Sequence, residues 1–160
     1  MINFLETQYP SKIFMPAIGV KKTTLHQWSD RGYIYLGRPG TGKSVILTGE
    51  EILYAACLVL LSKAGHSHKQ MYLRGLRDCI GFFKRGIDCD EDMSTDMYAL
   101  FKFVERVGVV DGEWVLSMNP FEKRIHITEA FGHKVAPYLA AVNLTELLKS
   151  LAQQIEGIVV

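Results

Sequence analysis

Residues 18–53 read IGVKKTTLHQWSDRGYIYLGRPGTGKSVILTGEEIL, and the fold turns on what their glycines connect. Gly37-x-x-x-x-Gly42-Lys43-Ser44 has the spacing of a nucleotide-binding P-loop. Such a loop needs a buried strand entering it and a helix opening at its Lys-Ser, so that backbone N–H groups and the helix dipole meet the phosphates. Residues 33–36 (Tyr-Ile-Tyr-Leu) can supply the strand, but the exit fits poorly. Val45, Ile46 and Leu47 are β-branched or apolar where the helix should begin, and Gly49 follows. A helix start comes only at Thr48, with Glu51 three residues on, which is a capping box. Residues 45–47 therefore read as a strand pairing with 33–36 in a hairpin with a basic tip. Gly40 and Gly42 take positive φ there, Pro39 sets a corner, and Arg38 and Lys43 reach solvent. The P-loop remains the competing reading. Val107-Gly108-Val109-Val110-Asp111 has the form of an apolar strand ending in a Mg²⁺-binding Asp, although Asp111-Gly112 is also an ordinary hairpin turn.

Upstream, residues 1–10 read as a short arm ended by Tyr9-Pro10-Ser11. Ser11 is placed to cap a first helix through about Ile18, with Ile13, Phe14, Ala17 and Ile18 on one apolar face and Pro16 awkwardly inside. Gly19 makes the turn. Lys21 to Asp30 form a second helix that turns Leu25 and Trp28 inward beside Val20 and leaves Lys21, Lys22, Thr23, Thr24, His26 and Gln27 outward. A helix, a glycine turn and a second helix of this length make a helix-turn-helix.

Gly19-Val20-Lys21-Lys22-Thr23-Thr24-Leu25-His26-Gln27-Trp28-Ser29-Asp30-Arg31-Gly32-Tyr33-Ile34 resembles the N-terminal domain of the MerR-like winged helix-turn-helix superfamily. That family's pattern is G-V-x-x-x-T-L-x-x-[YW]-x-x-x-G-[LY]-[IL], then a wing, then a capped helix, here Thr48-Gly49-Glu50-Glu51-Ile52-Leu53. The resemblance covers about residues 11–70. It implies that the second helix enters the major groove of DNA while the wing meets the backbone or the minor groove. Carried over, the base-reading set is Lys21, Lys22, Thr23, His26 and Gln27, with Arg31, Arg38 and Lys43 on phosphates and Thr24 and Thr41 within the same DNA-binding set. A Gln paired bidentately with adenine discriminates by roughly 1–3 kcal/mol. MerR regulators usually carry Arg-Tyr-Tyr after Thr-Leu. Here His26-Gln27-Trp28 stands in that place, closer to excisionase-like and phage relatives.

The chain has 160 residues, 48% apolar and 22% charged, the profile of a globular protein able to build a core. Two regions are expected, a DNA-binding domain over 1–65 and a dimerisation region over 66–160. The fold class is mainly α with small β: a winged helix-turn-helix domain followed by a helical C-terminal region containing a β-hairpin. No apolar run reaches the roughly 20 residues of a membrane span, and the N-terminus lacks a secretory signal. Cys57, Cys79 and Cys89 are scattered and read as free thiols, so a cytoplasmic location without membrane contact is expected. Net charge is only +1, yet residues 12–47 hold six basic residues (Lys12, Lys21, Lys22, Arg31, Arg38, Lys43) against one acid, Asp30. A local positive field of that kind draws phosphate backbones.

Residues 48–64 read as a helix apolar on nearly all sides, hence buried, and a fourth helix runs from about His66 to Gly86. His66 and His68 have no Cys or Asp partner for a metal. Residues 87–93 read as an acidic linker, because Met93 and Ala99 spoil an EF-hand pattern. Ser94 or Thr95 caps a helix through Glu105, with Met97, Leu100, Phe101 and Val104 inward. Residues 113–118 and 124–127 alternate as strands, and 128–137 read as helical. Residues 144–157 form an amphipathic helix whose stripe of Leu144, Leu147, Leu148, Leu151 and Ile155 either packs on its own domain or makes a dimer seam.

No nucleophile–base pair or cofactor fingerprint is present, so neither catalysis nor a cofactor is expected. The leading expectation is a sequence-specific DNA-binding transcriptional regulator of repressor type, bacterial or phage, acting on palindromic double-stranded DNA as a homodimer. A DNA-architectural protein, such as an excisionase or the DNA-recognition subunit of phage packaging, is the alternative. A nucleotide-binding P-loop protein stands third.

Overall fold

The computed structural model describes residues 2–36, 44–65, 73–89, 96–106, 109–117 and 140–159. It is mainly helical with two small antiparallel sheets. The chain divides into two compact units, one formed by Met1–Ala64 with Leu147–Val160 and the other by Gly65–Glu146.

The first unit opens with α1 (Ile2–Glu6), β1 (Gln8–Pro10), α2 (Ser11–Ile18) and α3 (Lys22–Asp30), followed by β2 (Ile46–Thr48) and α4 (Gly49–Lys63). The supposed arm is thus a structured element. Phe4 and Leu5 of α1 are buried, and the Phe4 ring lies 5.2 Å from that of Tyr9.

The expected hairpin between 33–36 and 45–47 is replaced by a non-local pairing. β2 runs antiparallel to β1, with Tyr9 opposite Leu47. Two further hydrogen bonds flank this ladder: the Ser11 N–H donates to Val45 O at 2.8 Å and the Gly49 N–H to Thr7 O at 3.0 Å. Residues 33–36 form no strand, and the Tyr33 N–H closes the end of α3 on Trp28 O at 2.8 Å. Ser11 is the first helical residue of α2 and Pro10 holds the capping position without a side-chain hydrogen bond, so Ser11 is not the cap.

Both short helices end in the same glycine device. After α2, Gly19 (φ 65°) donates to Pro16 O and Val20 to Met15 O. After α3, Gly32 (φ 71°) donates to Ser29 O and Tyr33 to Trp28 O. This paired 5→2 and 6→1 bonding satisfies helix-end carbonyls and needs a left-handed residue, which glycine adopts without a Cβ penalty.

α4 begins at the expected capping box, Thr48 Oγ1 accepting the Glu51 N–H at 3.2 Å. Two acids in its first turn and Lys63 in its last suit the helix dipole. Ile52, Leu53, Tyr54, Ala55, Ala56, Cys57, Leu58 and Leu61 are all buried, so the all-round apolar helix is the centre of this unit. α1 and α2 pack against it. α6 (Leu144–Val159), from Leu147 onward, also belongs here rather than with the second region. Its Leu148, Leu151, Ala152 and Ile155 are buried, and Leu147 is half-buried. Leu144 is buried within the other unit. Packing inside one chain therefore covers most of the stripe expected at a dimer seam, with Leu147 only partly covered.

The second unit packs α5 (Leu73–Cys89) on a three-stranded sheet of order β4-β3-β5, with β3 Tyr98–Arg106, β4 Val109–Ser117 and β5 Ala140–Asn143. The helix expected from 94 or 95 to 105 is strand β3, paired on both sides. Asp111-Gly112 lies inside β4, opposite Val104 and Phe103, and is not a turn. Phe101 and Trp114 face each other in register with rings 5.3 Å apart. α5 packs closely on Trp114 at Gly75, where a Cβ would stand 3.4 Å from that side chain, in van der Waals contact with it. The Met97 N–H donates to the buried Thr145 hydroxyl at 3.0 Å, the Leu144 N–H donates to Met97 O at 2.8 Å, and Asn143 Oδ1 caps α6 through the Glu146 N–H. The expected strand 124–127, the helical segment 128–137 and His66 and His68 lie outside the described residues.

Burial in α5, with the nearby Asp78 carboxylate adding, pushes the Cys79 thiol from 9.0 up to about 11. The raised value means that the folded state holds this proton more tightly than the unfolded chain. Its contribution to stability is present below about pH 9 and is lost as pH rises toward about 11. Iodoacetamide at pH 8 should leave Cys79 unmodified in the native protein and alkylate it in urea, as read by peptide mass mapping. Equal rates in both states would place the thiol at the surface.

Candidate nucleic-acid interface

α3 is nine residues long, about 13 Å at 1.5 Å per residue, the length of roughly four base-pair steps. Its Leu25 and Trp28 are buried. The opposite face carries Lys22, Thr23, Gln27 and Asp30 exposed, with Thr24 and His26 half-buried. Positions 22, 23, 26, 27 and 30 follow helical spacing, so they form one continuous stripe. Lys21 at the start and Arg31 at the end are also exposed. Seven of the expected contact residues are thereby gathered on one helix and its ends; Arg38, Thr41 and Lys43 lie outside the described residues.

The start of α3 departs from ordinary helix chemistry. Lys21 offers no side-chain cap, the first turn holds no acid, and Lys22 adds a second positive charge. Cations at a helix N-terminus oppose the macrodipole by about 0.3–1 kcal/mol each at exposed sites. An anion placed there reverses the sign, because it meets unpaired N–H groups, the dipole and two ammonium groups together. The arrangement suits a phosphate better than it suits an isolated helix.

The loop of the competing P-loop reading meets neither of its structural needs in the described residues beside it. Residues 33–36 form no strand, and 44–48 hold no helix, with β2 intervening before α4. Among the described residues, no three His, Cys, Asp or Glu side chains come together in a way that could hold a metal ion. No helix among them is long and apolar enough to cross a membrane.

Tyr35 was not singled out by the pattern that marks α3. It is 81% exposed between buried Ile34 and Leu36, which anchor the backbone on either side and leave the ring in solvent just before the Gly-rich loop. The alternation in Ile34-Tyr35-Leu36 is its sequence signal. No family model matches the chain, and a comparison with curated proteins finds no match.

Proposed function

We propose that the chain is a sequence-specific DNA-binding transcriptional regulator of repressor type, with α2 and α3 acting as a helix-turn-helix and α3 lying in the major groove. The observation that carries this reading is the division of α3 into a buried Leu25–Trp28 side and an exposed Lys21, Lys22, Thr23 and Gln27 side, with half-buried His26 among them. Lys21, Lys22 and Arg31 hold phosphates and fix register, while Thr23, His26 and Gln27 address base edges. Arg38 and Lys43 of the neighbouring Gly-rich segment add positive charge that favours phosphates. One helix of this length reads few base pairs, so two copies on a palindromic site double the contacts.

Selection of bound duplexes from random-sequence DNA, followed by anisotropy titrations, tests this. Lys21→Ala/Lys22→Ala should weaken binding to every sequence and flatten the slope of log K against log salt by about two. Gln27→Ala should instead relax preference at a single base position by roughly 1–3 kcal/mol and leave the salt slope alone. If both variants bind like the wild type, α3 is not the reading helix.

A further inference from the structure

α5 holds a second cationic surface. Its inner face buries Leu76, Cys79, Ile80, Phe83 and Ile87. Its outer face exposes Arg74, Asp78, Phe82 and Arg85, with Arg77 and Lys84 half-buried alongside. The helix carries four basic residues against two acids, Asp78 and Asp88. Positions 74, 78, 82 and 85 fall along one side over about 16 Å. Midway, Phe82 is 58% exposed, an unfavourable place for a large apolar ring. The ring has a partner in Arg85, whose guanidinium carbon sits 4.4 Å from its centroid. Stacking of this kind holds the guanidinium flat and ordered while its N–H edge stays open to solvent. A guanidinium held so loses less freedom when it binds a planar or tetrahedral oxyanion.

We propose that this face of α5 binds the DNA phosphate backbone without regard to sequence, through Arg74 and Arg85, with Phe82 as the platform that orders Arg85. The proposal rests on the reading that the chain binds DNA, and it adds a second contact surface in the other unit. The occupant is chosen by charge: Arg74 and Arg85, the second ordered on Phe82, outnumber the single exposed acid Asp78 and complement a polyanion of repeating phosphates. Such contacts would supply affinity on any duplex and leave discrimination to α3.

The test uses the full chain and a 30-base-pair duplex of random sequence, titrated by fluorescence anisotropy from about 50 to 200 mM KCl. Arg74→Gln/Arg85→Gln should lower affinity about tenfold and flatten the salt slope by about two, each lost phosphate contact counting for roughly 0.9. Phe82→Leu keeps every charge, so it should keep the wild-type slope and lose about threefold in affinity. Lys63→Gln, an exposed lysine at the end of α4, should change neither. Unchanged thermal melting of each variant confirms that the fold survives. If the arginine variant matches the wild type while Lys21→Ala/Lys22→Ala weakens binding, the α5 surface is overturned and the α3 reading stands. A wild-type chain that binds no duplex overturns both. Binding to phosphatidylserine vesicles that is lost in the arginine variant, with duplex binding unaltered, assigns the face to a membrane surface and overturns the proposal as well.

Discussion

Replacing Gly49 by alanine is expected to destabilise the first unit by about 3 kcal/mol, the upper end of the usual cost of overpacking. The glycine is required by space and not by an unusual φ. A Cβ at this position would overlap the carbonyl group of Phe4 and approach the Leu5 Cα to 2.9 Å. These are backbone atoms, so no side chain can swing away. Gly49 also donates its N–H to Thr7 O, which ties the same turn to the start of β1. Relief of the overlap must therefore push α1 off the head of α4, uncovering Phe4 and Leu5, which are buried. Urea denaturation of the full chain should show a lower midpoint, and limited proteolysis should open the segment before residue 8. Serine should be as harmful as alanine. A variant as stable as the wild type would mean that α1 does not close over α4.

Leu25→Ala is expected to cost 2–5 kcal/mol, the range for a fully buried leucine. Leu25 is 1% exposed and sits one turn from buried Trp28 on the inner side of α3. With the proposed function the loss has a second consequence. The outer residues Lys22, His26 and Gln27 are aimed by how the inner side seats, so a cavity beneath them should lower DNA affinity with no change in surface charge. Leu25→Met preserves volume and should cost less than about 1.5 kcal/mol while keeping binding. Chemical denaturation and anisotropy on both variants separate the effects. If Leu25→Ala kept both stability and affinity, the inner side of α3 would carry no such role.

Features that depend on neighbouring residues were legible in the sequence. Gly19 marks the end of α2 because a left-handed helix end favours glycine whatever surrounds it. Thr48 and Glu51 mark the head of α4 for an equally local reason. The leucine stripe of α6 was visible too, although what covers it was not. Pairing over distance escaped. Residues 45–47 have the look of a strand, and the nearest candidate partner was 33–36; the actual partner, Tyr9 opposite Leu47, lies far back in the chain. The misreading of β3 has a different origin. Ala99, Leu100 and Phe101 are buried in succession in a central strand, which erases the period of two. Met97, Leu100, Phe101 and Val104 then mimic helical spacing. At the candidate interface, helix periodicity was enough to place Lys22, Thr23, His26 and Gln27 on one side, whereas solvent exposure of Phe82 beneath Arg85 needed coordinates.

The return of residues 147–159 to the first unit sets a schedule for biosynthesis. A ribosome making 5–20 residues per second needs on the order of ten seconds to travel from the end of α4 to α6. During that interval the emerging first unit lacks Leu148, Leu151 and Ile155, and the apolar surface they will cover stays open to chaperones or to a neighbouring nascent chain. The front half is thus completed only once α6 has been made, and residues 1–64 alone would lack the cover that Leu148, Leu151 and Ile155 supply.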